Sequence, residues 1–78
     1  MSAERRPLAV RFGWNLRACR HRAGMSQEEL GFRASLHRTE IGLLERGFRE
    51  PKLETILKLI SALSISPDEL LEGIEREP

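Results

Sequence analysis

Residues 26–47, SQEELGFRASLHRTEIGLLERG, constrain the fold of this chain more than any other stretch. They spell two short helices separated by a turn with no room for a third element. Ser26 followed by Glu29 is the S-x-x-E pattern of a capping box, which satisfies two otherwise orphaned amides at a helix start. Leu30 falls on the inner face of this first short helix. Ala34 is small where two helices must cross closely, and Leu36 is apolar inside the turn and plugs the joint. The next helix carries Ile41 and Leu44 at i, i+3. Gly47 stops it, as glycine does just past a helix C-terminus. Two helices joined steeply by so short a turn make a helix-turn-helix, the unit that lays its second helix in the major groove of DNA.

The outward face of that second helix follows from 100° per residue. With Ile41 and Leu44 inside, Arg38, Thr39, Gly42, Leu43 and Arg46 point outward. Arg38 offers a planar fork to the O6 and N7 acceptors of guanine, and Thr39 offers a hydroxyl and a methyl. Gly42 costs helix stability but removes a side chain where the helix would press into the groove. Leu43 either meets a thymine methyl or is a surface leucine of no special role. Arg46, one turn on, suits a phosphate. The base-reading set is therefore Arg38, Thr39, Gly42 and Leu43.

The remaining chain reads as more helix. Residues 1–7 form a polar arm, expected to be mobile, with Arg5 and Arg6 near DNA or free. A first helix over 8–23 carries Phe12, Leu16, Cys19 and Ala23 as an apolar stripe, closed by Gly24, with Met25 beneath the joint. Trp14 lies about 160° from that stripe and is expected on the surface or in an interface. The two short helices span about 27–33 and 38–46, with His37 at the N-cap of the second. A fourth helix covers 53–63. Ser66-Pro67-Asp68-Glu69 is a second capping box with proline at N1; it opens a fifth helix over 67–72, ended by Gly73. Residues 75–78 are a tail. Five helices without strand patterning make an all-α domain over 8–74.

At 78 residues the chain is expected to be one domain, without space for a sensor or catalytic unit. Its core is marginal at that length, so self-association would add stability. The net charge of +1 conceals a gradient. Residues 1–52 hold 11 Lys+Arg against 6 Asp+Glu, a net +5; residues 53–78 hold 2 against 6, a net −4. A basic half is the footprint of a polyanion partner. Only Lys52 and Lys58 among the basic residues are lysines, and arginine favours bidentate contacts. Cys19 is the one cysteine, which excludes an intrachain disulfide. No apolar run is long enough for a membrane span, and a cytoplasmic protein is expected.

Enzyme chemistry finds no constellation. His21 and His37 lie on different elements without cysteine ligand spacing, so no metal is expected. Glu28-Glu29 and Asp68-Glu69 are first-turn carboxylates suited to the helix dipole. Ser35 and His37 are two apart in a turn, with nothing to activate a nucleophile. No cofactor and no small-molecule ligand are expected.

The chain resembles the lambda-repressor-like, or Cro/XRE, helix-turn-helix family. The resemblance rests on Gly13-x-Asn15-Leu16-Arg17-x-x-Arg20, Ser26-Gln27-Glu28-Glu29-Leu30, Leu36-His37-Arg38-Thr39-x-Ile41, Glu45-Arg46-Gly47, Pro51-x-Leu53-x-Thr55-Ile56, Ala62-Leu63 and Ser66-Pro67-Asp68-Glu69-Leu70-Leu71. The LHRT-x-I and ERG segments are similar to those of stand-alone members, including restriction-modification controller proteins. The resemblance implies a five-helix fold and operator binding as a homodimer. It implies a phosphate contact by Gln27, base contacts by Arg38 and Thr39 with Leu43 nearby, and backbone contacts by Arg46 and the following loop, where Arg49 and Lys52 stand. It also implies an ion pair between Arg20 and Glu45.

Three departures from the family pattern carry expectations. Gly31 replaces a usual alanine and is expected to weaken its helix. Lys52 replaces a Ser or Thr cap. Glu40 borders the reading face, where it either accepts from a cytosine or leans back to Arg33 or Arg49.

The fourth helix carries Leu53, Ile56, Leu57, Leu59, Ile60 and Leu63 over a 160° arc, wider than one small core covers. Leu57, Leu71 and Ile74 are the expected homodimer contacts, with Trp14 as a rival anchor. The expected function is a sequence-specific regulator of transcription on a double-stranded operator with two half-sites. An antitoxin-type DNA-binding protein with a protein partner, and a protein-interaction module of little DNA affinity, are the alternatives.

Overall fold

The structure is a computed structural model and describes residues 6–74. Arg5 and the rest of the expected arm over 1–5, and the tail over 75–78, lie outside the described residues. Five helices follow in order: α1 (Pro7–Arg22), α2 (Gln27–Ala34), α3 (Arg38–Glu45), α4 (Leu53–Leu63) and α5 (Pro67–Leu70). No strand occurs among the described residues.

Local chemistry accounts for most helix ends. Ser26 Oγ accepts from the Glu29 amide at 3.0 Å and opens α2. His37 Nδ1 accepts from the Thr39 amide at 3.0 Å and opens α3. Ser66 and Glu69 close a full capping box at α5. α4 begins at Lys52 without a side-chain cap. Serines, not glycines, end α2 and α4: Ser35 and Ser64 take φ of 58° and 54°. That conformation costs a non-glycine residue about 1–2 kcal/mol. It persists because the next amide completes a long bond backwards, Leu36 to Gly31 at 2.8 Å and Ile65 to Ile60 at 3.2 Å.

The core is a single cluster. Phe12, Leu16 and Cys19 of α1 meet Leu30 and Ala34 of α2, Ile41 and Leu44 of α3, Leu59 and Leu63 of α4, and Leu70 of α5. Met25 and Leu36 pack on its edge from the two joints flanking α2. Ala23, expected on the stripe, is exposed, because α1 stops at Arg22 and the chain turns away. Pro7, expected in the arm, is the first residue of α1, where a missing amide costs nothing. Arg6 stands at the N-cap position without a side-chain cap bond, and its guanidinium pairs with Glu50 at 2.9 Å.

α5 is shorter than its sequence pattern, ending at Leu70 with Leu71 as its cap. The buried amide of Asn15 donates to the carbonyls of Leu70 (3.0 Å) and Glu72 (2.8 Å), and Arg11 Nε donates to Glu72 as well (3.1 Å). These bonds from α1 hold residues 71–73 as a turn.

Two glycines set the helix spacing. A Cβ on Gly13 would lie 2.5 Å from the Leu44 and Glu45 carbonyl oxygens, so α1 and α3 touch backbone to backbone there. A Cβ on Gly31 would lie 2.6 Å from the Leu36 carbonyl oxygen. The structure gives Gly31 a role beyond the expected weakening of α2. Its bare Cα is what lets the turn fold back on α2 and bring α3 close.

Candidate nucleic-acid interface

α3 presents its first turn to solvent, with Arg38 and Thr39 exposed while Ile41 and Leu44 are fully buried. The His37 cap takes up the Thr39 amide, and the Thr39 residue itself is exposed. Arg38 Nη1 lies 3.5 Å from Glu28 Oε2, across the turn on α2. Leu43 is half-buried on the next turn.

Gly42 departs from the expected outward face: it is buried. Arg46 folds back so that its Nε donates to the Gly42 carbonyl at 3.1 Å. A Cβ at 42 would find the Arg46 guanidinium at 3.6 Å and the Gln27 carboxamide at 3.7 Å. The glycine is thus a floor beneath two polar side chains from different helices. Arg46 also lies over the Phe48 ring, 5.8 Å from its centroid, which limits where the guanidinium can swing.

Beneath this surface sits the buried ion pair. Arg20 Nε donates to Glu45 Oε2 at 2.6 Å and Arg20 Nη2 to Glu45 Oε1 at 3.0 Å, a bidentate fork. The side chains are only 10% and 4% exposed. Arg20 Nη1 donates to the Met25 carbonyl at 2.9 Å, so one guanidinium ties α1 to α3 and to the start of the joint before α2. The Glu45 hydrogen bond holds the Arg20 proton more firmly than usual, against the opposing effect of burial. Gln27 Nε2 completes the cluster by donating to Glu45 Oε1 at 3.1 Å. The N-terminus of α2 is thereby fixed relative to the C-terminus of α3.

The structure brings Arg20, Gln27, Gly42, Glu45 and Arg46 together, with Arg38 and Thr39 at the far end of the same helix. Arg49 and Lys52 lie apart from that group. They line a cleft between the loop after α3 and the start of α4, beside Glu40, Glu50 and Glu54. Glu40 leans to Arg49 at 3.9 Å, one of the two partners expected for it, while Arg33 pairs with Glu29 on α2 at 2.8 Å.

The apolar candidates divide as well. Trp14 is exposed on α1, as its angle required. Leu57 is 58% exposed and Leu53, one turn earlier on α4, is 73% exposed. Leu57 lines a cleft against α2. Leu71 and Ile74 are half-buried and line a separate apolar depression of about 120 Å³ with Leu8, Phe12, Pro51 and Ile56. Leu57 therefore does not share a groove with Leu71 and Ile74.

Cys19 is buried in the core; burial pushes its thiol up, partly offset by the Arg22 charge. Among the described residues no helix is long and apolar enough to cross a membrane.

Sequence reasoning missed the roles of Gly13 and Asn15 and the ion pair of Glu28 with Arg38. The first two stood in the family motif, but close approach and carbonyl capture join residues far apart in the chain, Gly13 with Leu44 and Glu45 and Asn15 with Leu70 and Glu72. Glu28 carried a signal, a first-turn carboxylate ten residues before Arg38, that helix-dipole reasoning absorbed.

A helix-turn-helix clasped by a buried pair, with arginine and threonine leading its second helix, defines a DNA-binding domain of the regulator class. Residues 16–70 match the helix-turn-helix family, and the chain belongs to its Cro/XRE type, whose members are DNA-binding transcriptional regulators. The control protein C.BamHI of Bacillus amyloliquefaciens is 44% identical over 62 residues, covering 78% of this chain and 76% of its own. The control protein C.SmaI of Serratia marcescens is 40% identical over 65 residues, 81% of this chain and 77% of its own. The crystal structure of the restriction-modification controller protein C.AhdI from Aeromonas hydrophila superposes with a TM-score of 0.77 at 48% identity, over 80% of this chain and 94% of that one.

Proposed function

We propose that the protein is a sequence-specific double-stranded-DNA-binding regulator that acts in the cytoplasm as a homodimer on a two-half-site operator, in the manner of a restriction-modification controller. The observation that carries this reading is the exposed first turn of α3, with Arg38 and Thr39 leading a helix whose other side is locked into the core. Arg38 reads guanine, and Thr39 and Leu43 meet neighbouring base edges. Gln27 and Arg46, side by side over Gly42, take one phosphate region, and Arg49 and Lys52 take another. Gly42 serves by having no side chain between them.

One recognition helix buries too little surface for tight specific binding. Two copies abreast set their reading helices about 34 Å apart, one turn of duplex. The dimer forms through α5 and the margin of α4 in the acidic half of the chain, with Leu71 and Ile74 at one apolar depression and Leu57 at a separate cleft that the partner must also reach. Trp14, on another face, is the rival anchor.

Fluorescence anisotropy on random duplex across salt, followed by selection from a random duplex pool, tests the reading. Affinity should fall steeply with salt, and the selected sites should carry two related half-sites. Arg38→Ala should weaken operator binding by about 1–3 kcal/mol and relax one base position per half-site. Salt-independent binding, or unchanged preference in the Arg38→Ala selection, would refute it.

A further inference from the structure

We infer that Glu28 is a specificity-determining positioning residue, which holds Arg38 by one corner of its guanidinium and aims the rest at the base. The inference rests on the assignment of Arg38 as a base reader. Glu28 is the second residue of α2 and Arg38 the first of α3, so the turn between the helices sets their separation. The contact runs from Arg38 Nη1 to Glu28 Oε2 at 3.5 Å, with the side chains 66% and 77% exposed. A guanidinium has five N–H donors in a fixed plane. Engaging Nη1 leaves the edge formed by Nε and Nη2, two parallel donors, the arrangement that pairs with guanine O6 and N7.

The Glu28 carboxylate has a second consequence. It stands at the N-terminal turn of α2, beside the surface that meets the DNA backbone in the proposed reading. A negative charge there repels phosphate wherever the protein lands, and it competes with phosphate for Arg38. On random duplex no compensating base contact exists, so the penalty stands. On the operator the guanine contact uses the edge that Glu28 leaves open, so Glu28 and guanine hold Arg38 together. The residue therefore acts on the ratio of specific to non-specific affinity more than on either alone. An exposed ion pair is weak, and the effect expected is correspondingly modest in each arm.

The test measures binding of wild type, Glu28→Gln, Glu28→Asp, Arg38→Ala and the Glu28→Gln/Arg38→Ala double variant to the selected operator and to random duplex at one salt concentration. Glu28→Gln keeps the length and loses the charge; it should tighten random-duplex binding and weaken operator binding, so the specificity ratio falls about fivefold. Glu28→Asp keeps the charge but not the reach, and should lower the ratio through the operator arm alone. In the Arg38→Ala background, Glu28→Gln should raise both affinities by the same factor and leave the ratio unchanged. If Glu28→Gln moves both affinities equally in the wild-type background, Glu28 is only a surface charge and the inference is overturned. If Arg38→Ala itself leaves the ratio unchanged, the base-reading assignment fails and the inference falls with it. Coincident thermal melts of the single variants exclude a folding defect, since both side chains are exposed.

Discussion

Removing Glu45 should cost this domain a large share of its stability, while removing both members of its ion pair should cost less. Glu45→Ala deletes the two charge-assisted bonds from Arg20, at 2.6 and 3.0 Å, and the bond from Gln27 at 3.1 Å. Arg20 keeps the Met25 carbonyl, and His21 lies within 3.2 Å, but nothing neutralises its charge. Its side chain is only 10% exposed, so water does little to screen it. Breaking a buried pair from one side costs about 3–5 kcal/mol. At about 0.05–0.15 kcal/mol per residue, a domain of this length has roughly 4–12 kcal/mol in total. With a urea slope near 1 kcal/mol/M, the midpoint should drop by about 3–5 M. The double variant Arg20→Met/Glu45→Leu has no orphaned charge and should lose less than either single truncation. Urea denaturation of wild type, Arg20→Met, Glu45→Leu and this double variant gives the coupling free energy. Additive losses would mean that the pair does not act as a unit, and the account of how α1 holds α3 would be wrong.

Four further outcomes test other links. Gly31→Ala should destabilise by about 1–3 kcal/mol, because its Cβ meets the Leu36 carbonyl oxygen; helix propensity alone gives the opposite sign, about 1 kcal/mol of gain, so thermal melting separates the two arguments. Arg46→Ala and Gln27→Ala should lower affinity by similar factors on operator and random duplex, with the Arg46 variant losing about one unit of salt slope; a loss confined to the operator would move them into base reading. Leu71→Glu should convert a dimer to a monomer in sedimentation velocity, and a variant that still dimerises as well as wild type transfers the interface to Trp14. Cys19 has a folded-state pKa raised by burial, so its contribution is fully present below the unfolded value and is lost as pH climbs above about 8.5; Cys19→Ala should flatten that alkaline loss in urea titrations.

The sequence by itself determined the five helices, the capped starts of α2, α3 and α5, and most of the inward faces. Ser26, His37 and Ser66 cap through atoms two or three residues away, and such contacts are written into adjacent positions. The apolar stripe through Phe12, Leu16 and Cys19 and the buried pair Ile41 and Leu44 follow from 3.6 residues per turn, and all five are core residues. Arg20 with Glu45 came from resemblance and not from spacing, since 25 residues separate them.

Tertiary structure decided what depends on approach between distant backbones. Propensity counts Gly31 as a cost, yet the fold needs its missing Cβ; Gly13 is bare because the carbonyls of Leu44 and Glu45 arrive there. A helical wheel turns Gly42 outward, but Gln27 and Arg46 close over it from α2 and from beyond the end of α3. The end of α5 is set by Asn15 on α1, 55 residues away from Leu70, because a carbonyl released from a helix goes to whichever donor the packing brings. Periodicity gives a residue its direction on its own helix. Only the packing of the other helices decides whether that direction leads to solvent, to a neighbour or to a partner for its charge.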